Sequence, residues 1–168
     1  LAGPIPEETM EEIRRALAEN LVVFFRDQKM TVDQHIEFGR RFGDLDVHPA
    51  AANAVGREEI LVISADENSN RANGEAWHSD VSCDPEPPMG SILYMKELPP
   101  DGGGNTLFAN MYKAYEAVHA DIKARIEGRK ALNVYDYANV PTHRGATSSE
   151  APRFAHPVVR THPATGRK

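Results

Sequence analysis

The sequence predicts a mainly β fold, a sheet-rich barrel or sandwich with helices packed on one side, on three observations. The element order reads helix, strand, helix, then mostly strands with one inserted helix, which is not the regular alternation of a βαβ protein. The strand candidates are short apolar runs bounded by turn residues. Finally, 168 residues that are 40% hydrophobic and 26% charged form an ordinary globular chain of single-domain length.

Residues 4–20 read as a helix. Pro6 suits its first turn, Glu7 and Glu8 suit the positive end of its dipole, and Met10, Ile13 and Leu17 form an apolar stripe ending at Asn20. Residues 21–25, Leu-Val-Val-Phe-Phe, read as a buried strand. Thr31 followed by Gln34 makes a capping box for a second helix that carries Ile36, Phe38 and Phe42 into the core and stops at Gly43. A loop over residues 44–56 holds His48, residues 60–63 form another apolar strand, and residues 65–76 make a long polar connection of the kind that borders a site. Residues 89–98 and 105–108 read as two strands joined across the glycine turn 99–104. A helix is expected over about 112–127, a strand over about 131–137, and a polar loop from Ser149 through His156 to Arg160.

Composition excludes several function classes. The net charge is −6 without a clustered basic stripe, so nucleic acid is not an expected partner. No apolar run approaches the eighteen or so residues of a membrane span, and no signal segment opens the chain. One cysteine, Cys83, leaves no internal disulfide framework and fits a cytoplasmic location. The chain lacks an initiator Met and ends on a turn-like segment, so the expectation is a single domain over 1–168 cut at both ends.

Trp77-His78-Ser79-Asp80 lies between a Gly/Asn-rich loop, 68–74, and a proline-rich one, 85–88. In an extended segment side chains two apart point the same way, so His78 and Asp80 converge while Trp77 and Ser79 face the other side. An imidazole and a carboxylate meeting at one point are two thirds of the facial triad that holds Fe(II) with positions left open. With seven His and ten Asp, chance alone supplies roughly 0.4 His-x-Asp pairs. A second copy, His119-Ala120-Asp121, reads as a solvated helix terminus, and the reversed pair Asp46 and His48 sits in a loop. The bland alternatives are a buried hydrogen-bonded pair for His78 and Asp80, a plain strand residue for Thr106, a loop histidine for His48, a packing role for Trp77 and a small pocket-wall residue for Cys83.

The flanking blocks carry a resemblance. Trp77-His78-Ser79-Asp80-Val81, Pro87-Pro88, Lys96-Glu97-Leu98-Pro99, Gly102-Gly103-Gly104-Asn105-Thr106-Leu107, Tyr115-Glu116-Ala117 and His156-Pro157-Val158-Val159-Arg160-Thr161-His162-Pro163 resemble the taurine dioxygenase (TauD/TfdA-like) family. So do Val22-Val23-Phe24-Phe25-Arg26-Asp27-Gln28 and Arg41-Phe42-Gly43, so the resemblance runs across nearly the whole chain. It implies a double-stranded β-helix, or jelly roll, of which this chain is a part. It also implies an Fe(II)- and 2-oxoglutarate-dependent dioxygenase that hydroxylates a small anionic organic substrate with molecular oxygen, releasing succinate and carbon dioxide.

By resemblance His78 and Asp80 bind iron, Thr106 hydrogen-bonds 2-oxoglutarate, His48 contacts the anionic head of the substrate and Val81 lines the substrate side. The family's second metal-binding His and its 2-oxoglutarate-binding Arg are expected beyond residue 168. His119, His143, His156 and His162 are not promoted to that role. Ala51, Gly74 and Cys83 are smaller or less polar than the residues with which taurine enzymes contact their substrate. They therefore argue against taurine and for another sulfonate, an alkyl sulfate or an aryloxyalkanoate in a roomier pocket. Homo-oligomerisation is left open. A zinc-dependent hydrolase and a non-catalytic jelly-roll binding module are the other classes.

Overall fold

The computed structural model describes residues 1–48, 56–69, 74, 76–135 and 151–168. The described elements are α1 (Glu7–Asn20), α2 (Val32–Arg40), α3 (Met111–Ala117), α4 (Ala120–Ile126), β1 (Lys130–Val134) and β2 (Arg153–Pro157). The chain divides into two compact units. The first comprises Leu1–Met30, Ile92–Ala131 and Pro157–Lys168; the second comprises Thr31–Ser91 and Leu132–His156.

In the first unit α1 starts behind Pro6, with Glu7 and Glu8 in its first turn, where a carboxylate meets the positive dipole end. Met10 from its apolar stripe is fully buried, which contributes about 1.5–3 kcal/mol. Ile13 and Leu17 are half-buried beside it. The helix closes on Leu21, whose φ of 70° lets its N–H reach the Leu17 carbonyl at 2.7 Å. The Tyr94 hydroxyl accepts from the Met30 N–H at 3.2 Å and donates to the Gln28 carbonyl at 3.3 Å. Tyr112 is buried, with its hydroxyl 2.8 Å from Thr165 Oγ1 and the Arg167 guanidinium 3.8 Å above its ring.

In the second unit α2 is fixed by the expected capping box: Thr31 Oγ1 accepts from the Gln34 N–H at 3.2 Å, and Gln34 Oε1 accepts from the Thr31 N–H at 2.8 Å. Ile36 and Phe38 are buried, and Phe38 meets Phe42 edge to face at 5.4 Å. The helix ends at Arg40, before Gly43. Gly39, Cys83 and Ala151 complete the buried residues described in this unit.

Several expectations change. The runs 21–25, 60–63, 89–98 and 105–108 are not strands among the described residues. Their apolar side chains are largely exposed, Phe24 at 66% and Phe108 at 56%. Composition sets a local preference for extended backbone, but a strand also needs a ladder partner distant in sequence. The inserted helix is two helices, because Val118 (ψ 133°) and His119 (ψ 147°) leave the helical region between them. Within the segment read as a polar loop, residues 153–157 form β2. It pairs with β1 antiparallel, the ladder flanked by bonds from the Tyr135 N–H to the Pro152 carbonyl and the Val158 N–H to the Arg129 carbonyl, both 2.9 Å. The expected strand at 131–137 is observed as Lys130–Val134, and residues 136 and 137 lie outside the described residues. Among the described residues no helix is long and apolar enough to cross a membrane.

Candidate metal centre

The segment before Asp80 is irregular and exposed, and the chain turns directly after it. Val81 has φ 49°, in the left-handed region that a β-branched residue strongly disfavours, at a cost of about 1–3 kcal/mol. That strained residue opens a turn closed by the Asp84 N–H on the Val81 carbonyl at 3.0 Å. Inside the turn Cys83 is only 5% exposed. Burial, with a smaller contribution from the Asp84 charge, pushes its thiol above the ordinary range. The proline-rich stretch that follows leads to Ser91, whose hydroxyl donates to Asp80 Oδ2 at 2.7 Å.

His78 and Asp80 come together as the spacing predicts, with Nε2 3.2 Å from Oδ1. Both side chains are half exposed, at 55% and 51%, so the pair is not the buried pair of the bland reading. His78 Nδ1 lies 2.7 Å from the Ala76 carbonyl oxygen, which only accepts, so Nδ1 carries the hydrogen. In the neutral ring Nε2 then turns a lone pair toward a carboxylate oxygen. Two lone pairs at that separation are reconciled by a second proton on the ring or by a shared cation. Two donors bound at right angles to a first-row metal about 2.1 Å away sit about 3 Å apart, close to the separation found here. The outer atom of each residue is already committed, Nδ1 to Ala76 and Oδ2 to Ser91, so the inner pair fits two adjacent positions on one metal. Among the described residues no group of three or more His, Cys, Asp or Glu side chains is placed to hold a metal ion.

His48 is half-buried with its ring 6.4 Å from that of Tyr135. Thr106 is exposed in the first unit, behind a turn closed by the Gly102 N–H on the Pro99 carbonyl at 3.0 Å. Gly74 has φ 85°, and a Cβ placed on it would lie 3.5 Å from His78 Cε1. Ala51 and His143 lie outside the described residues. Trp77 is 70% exposed, which corrects its expected packing role: the segment turns it to solvent rather than into a core. The second copy of the motif is an N-cap, since His119 Nδ1 accepts from the Asp121 N–H at 3.4 Å in front of α4, and both side chains are largely exposed. His162 Nδ1 accepts from the backbone N–H groups of Ala164 and Thr165 within a local turn.

Sequence reasoning missed two residues. Ser91 carries no local signal, because its contact with Asp80 depends on how the intervening prolines redirect the chain. His156, known from its block but given no role, places Nε2 2.7 Å from the Asp84 carbonyl oxygen across 72 residues of sequence.

Comparison with known proteins extends these observations. The chain is 33% identical over 192 residues to pentalenolactone F synthase of Streptomyces avermitilis, covering 99% of this chain and 63% of that protein. It is 31% identical over 170 residues to the (S)-phenoxypropionate/alpha-ketoglutarate-dioxygenase of Sphingobium herbicidovorans, covering 94% and 59%. It is also 31% identical over 180 residues to the alpha-ketoglutarate-dependent sulfate ester dioxygenase of Pseudomonas putida, covering 100% and 58%. The chain thus spans about three fifths of the length of these relatives. Residues 2–168 match the family described as taurine catabolism dioxygenase TauD, TfdA family, and the chain belongs to that family.

Proposed function

We propose that this chain is the larger part of an Fe(II)- and 2-oxoglutarate-dependent dioxygenase that hydroxylates a small anionic organic substrate, with succinate and carbon dioxide as co-products. The observation that carries the reading is the approach of His78 Nε2 to Asp80 Oδ1 at 3.2 Å, with the outer atom of each residue held by a neighbour. His78 and Asp80 would hold the iron, which with 2-oxoglutarate as co-reductant and molecular oxygen as oxidant would supply the chemistry for hydroxylating an unactivated carbon. The second metal-binding His and the Arg for the distal carboxylate of 2-oxoglutarate would come from sequence outside residues 1–168.

Within the chain, Ala76 and Ser91 orient the two ligands, and Val81 places an apolar side chain next to them on the substrate side, where it excludes water. Thr106 donates its hydroxyl to a 2-oxoglutarate carboxylate, and His48 meets the anionic head of the substrate. We read both units as parts of one jelly-roll domain. Exposed apolar side chains such as Leu107 and Phe108 are then ones that the rest of that domain covers. The names of relatives support an anionic substrate: phenoxypropionate, sulfonate, sulfate ester and 2,4-dichlorophenoxyacetate. A cytoplasmic location agrees with the single free thiol.

The test is anaerobic titration of the full-length protein with Fe(II) and 2-oxoglutarate. The visible metal-to-ligand charge-transfer band is expected in the wild type and absent in His78→Ala. Succinate release is then screened against sulfonates, alkyl sulfates and aryloxyalkanoates. Bound metal without the band would overturn the proposal in favour of a hydrolase or an inactive barrel.

A further inference from the structure

His156 contributes a contact that nothing above uses. Its Nε2 lies 2.7 Å from the Asp84 carbonyl oxygen. A carbonyl only accepts, so the ring donates from Nε2. The ring is held from its own side as well. His156 stands on β2, whose backbone is fixed by pairing with β1, and Phe154, two residues earlier on the same face, has its ring 4.9 Å away. What the ring grips is the far end of the turn that Asp80 enters. Val81 begins that turn in a conformation its side chain disfavours, Cys83 is buried inside it, and Asp84 closes it back on Val81. A strained backbone of this kind persists only where its surroundings over-determine it. The described contacts supply one tie on the turn from distant sequence, and it is His156.

We propose that His156 is a positioning residue for the His78/Asp80 site: by pinning Asp84 it holds the 81–84 turn shut and so fixes the direction in which the Asp80 carboxylate leaves the backbone. The proposal rests on the reading of His78 and Asp80 as metal ligands. Its mechanical half does not, because the turn can be probed in metal-free protein. Cys83 is the chain's one cysteine and is buried within that turn, so its rate of reaction with a thiol reagent reports opening there.

The experiment uses the full-length protein with His156→Leu, which keeps bulk and removes the donor, and His156→Gln, which keeps an N–H donor at similar reach. Where further cysteines occur outside residues 1–168, labelling at Cys83 is read by peptide mass. At fixed pH and without metal, His156→Leu is expected to speed Cys83 labelling about tenfold. Under anaerobic conditions it is expected to weaken Fe(II) binding about fivefold, below the roughly 10- to 100-fold typical of groups that hydrogen-bond a buried metal ligand directly, because His156 acts through the Asp84 backbone. His156→Gln should restore most of both, with circular dichroism unchanged in either variant. If His156→Leu does not fold, His156→Asn replaces it, its shorter amide falling short of Asp84, and the same separation from His156→Gln is expected.

Labelling and Fe(II) affinity both within twofold of wild type in the donor-less variant would overturn the proposal. So would glutamine behaving like leucine or asparagine, or faster labelling with Fe(II) affinity unchanged. Wild-type protein that binds no Fe(II) while labelling still separates the variants would overturn the metal reading and support the tie between His156 and the turn.

Discussion

Replacing Ser91 by alanine tests how much of the metal site depends on a group that never touches the metal. The Ser91 hydroxyl donates to Asp80 Oδ2 at 2.7 Å, which leaves Oδ1 facing His78. A hydrogen bond to a charged group is worth about 1.5–3 kcal/mol when shielded from water. Asp80 is half exposed and Ser91 is exposed, so water replaces much of what is lost, and about 1 kcal/mol is a fair expectation. That corresponds to about fivefold weaker Fe(II) binding, below the roughly 10- to 100-fold typical for partners of buried metal ligands. The assay is the anaerobic Fe(II) dissociation constant of the full-length protein, with Ser91→Thr as the conservative control. A constant unchanged within twofold in Ser91→Ala, or threonine weakening binding as much as alanine, would refute the reasoning and reduce the contact to a surface hydrogen bond.

Four further outcomes are expected. Thr31→Ala removes one arm of the capping box on α2 and should cost about 1 kcal/mol, seen as a thermal midpoint lower by about 2–4 °C. At Gly74 the space is adequate but φ is 85°, so Gly74→Ala should cost about 1 kcal/mol through backbone strain, and Gly74→Asn less, both read by thermal melting. The folded-state pKa of Cys83 is raised by burial, so the stability contributed by its neutral thiol is complete below the ordinary thiol range and lost as pH rises through the raised value. The melting midpoint should therefore fall on the alkaline side, and less steeply in Cys83→Ala. Arg57 reaches one oxygen of Asp33 with two nitrogens, but both side chains are exposed, so Arg57→Ala should change stability by no more than about 0.5 kcal/mol.

What the sequence made legible is what is decided within a few residues. The capping box of α2 needs only Thr31 and Gln34, and the approach of His78 to Asp80 needs only a two-residue spacing. The end of α1 at Asn20 is local in the same way, whereas its start, expected at Pro4 with Pro6 in the first turn, falls at Glu7 with Pro6 outside the helix as its N-cap. The ladder between β1 and β2 was half legible, because apolar Leu132 and Val134 announce a strand whereas the more polar residues 153–157 become one only by pairing. The break between α3 and α4 was hidden by apolar residues that continue across it, although a histidine two residues before an aspartate was there to be read as a cap. Ser91 and His156 were illegible for one reason: each acts on the Asp80 turn from a position that only tertiary structure brings near.

Trp77 stands immediately before His78, is mostly exposed, and is the one tryptophan among these 168 residues. In protein without tryptophan outside them, all indole fluorescence would originate beside the candidate site. An exposed indole emits at long wavelength, shifts to the blue when a bound molecule shields it, and is quenched by a paramagnetic ion close by. Such a protein would carry its own optical probe of occupancy, and binding at His78 and Asp80 could be followed without a label and without turnover.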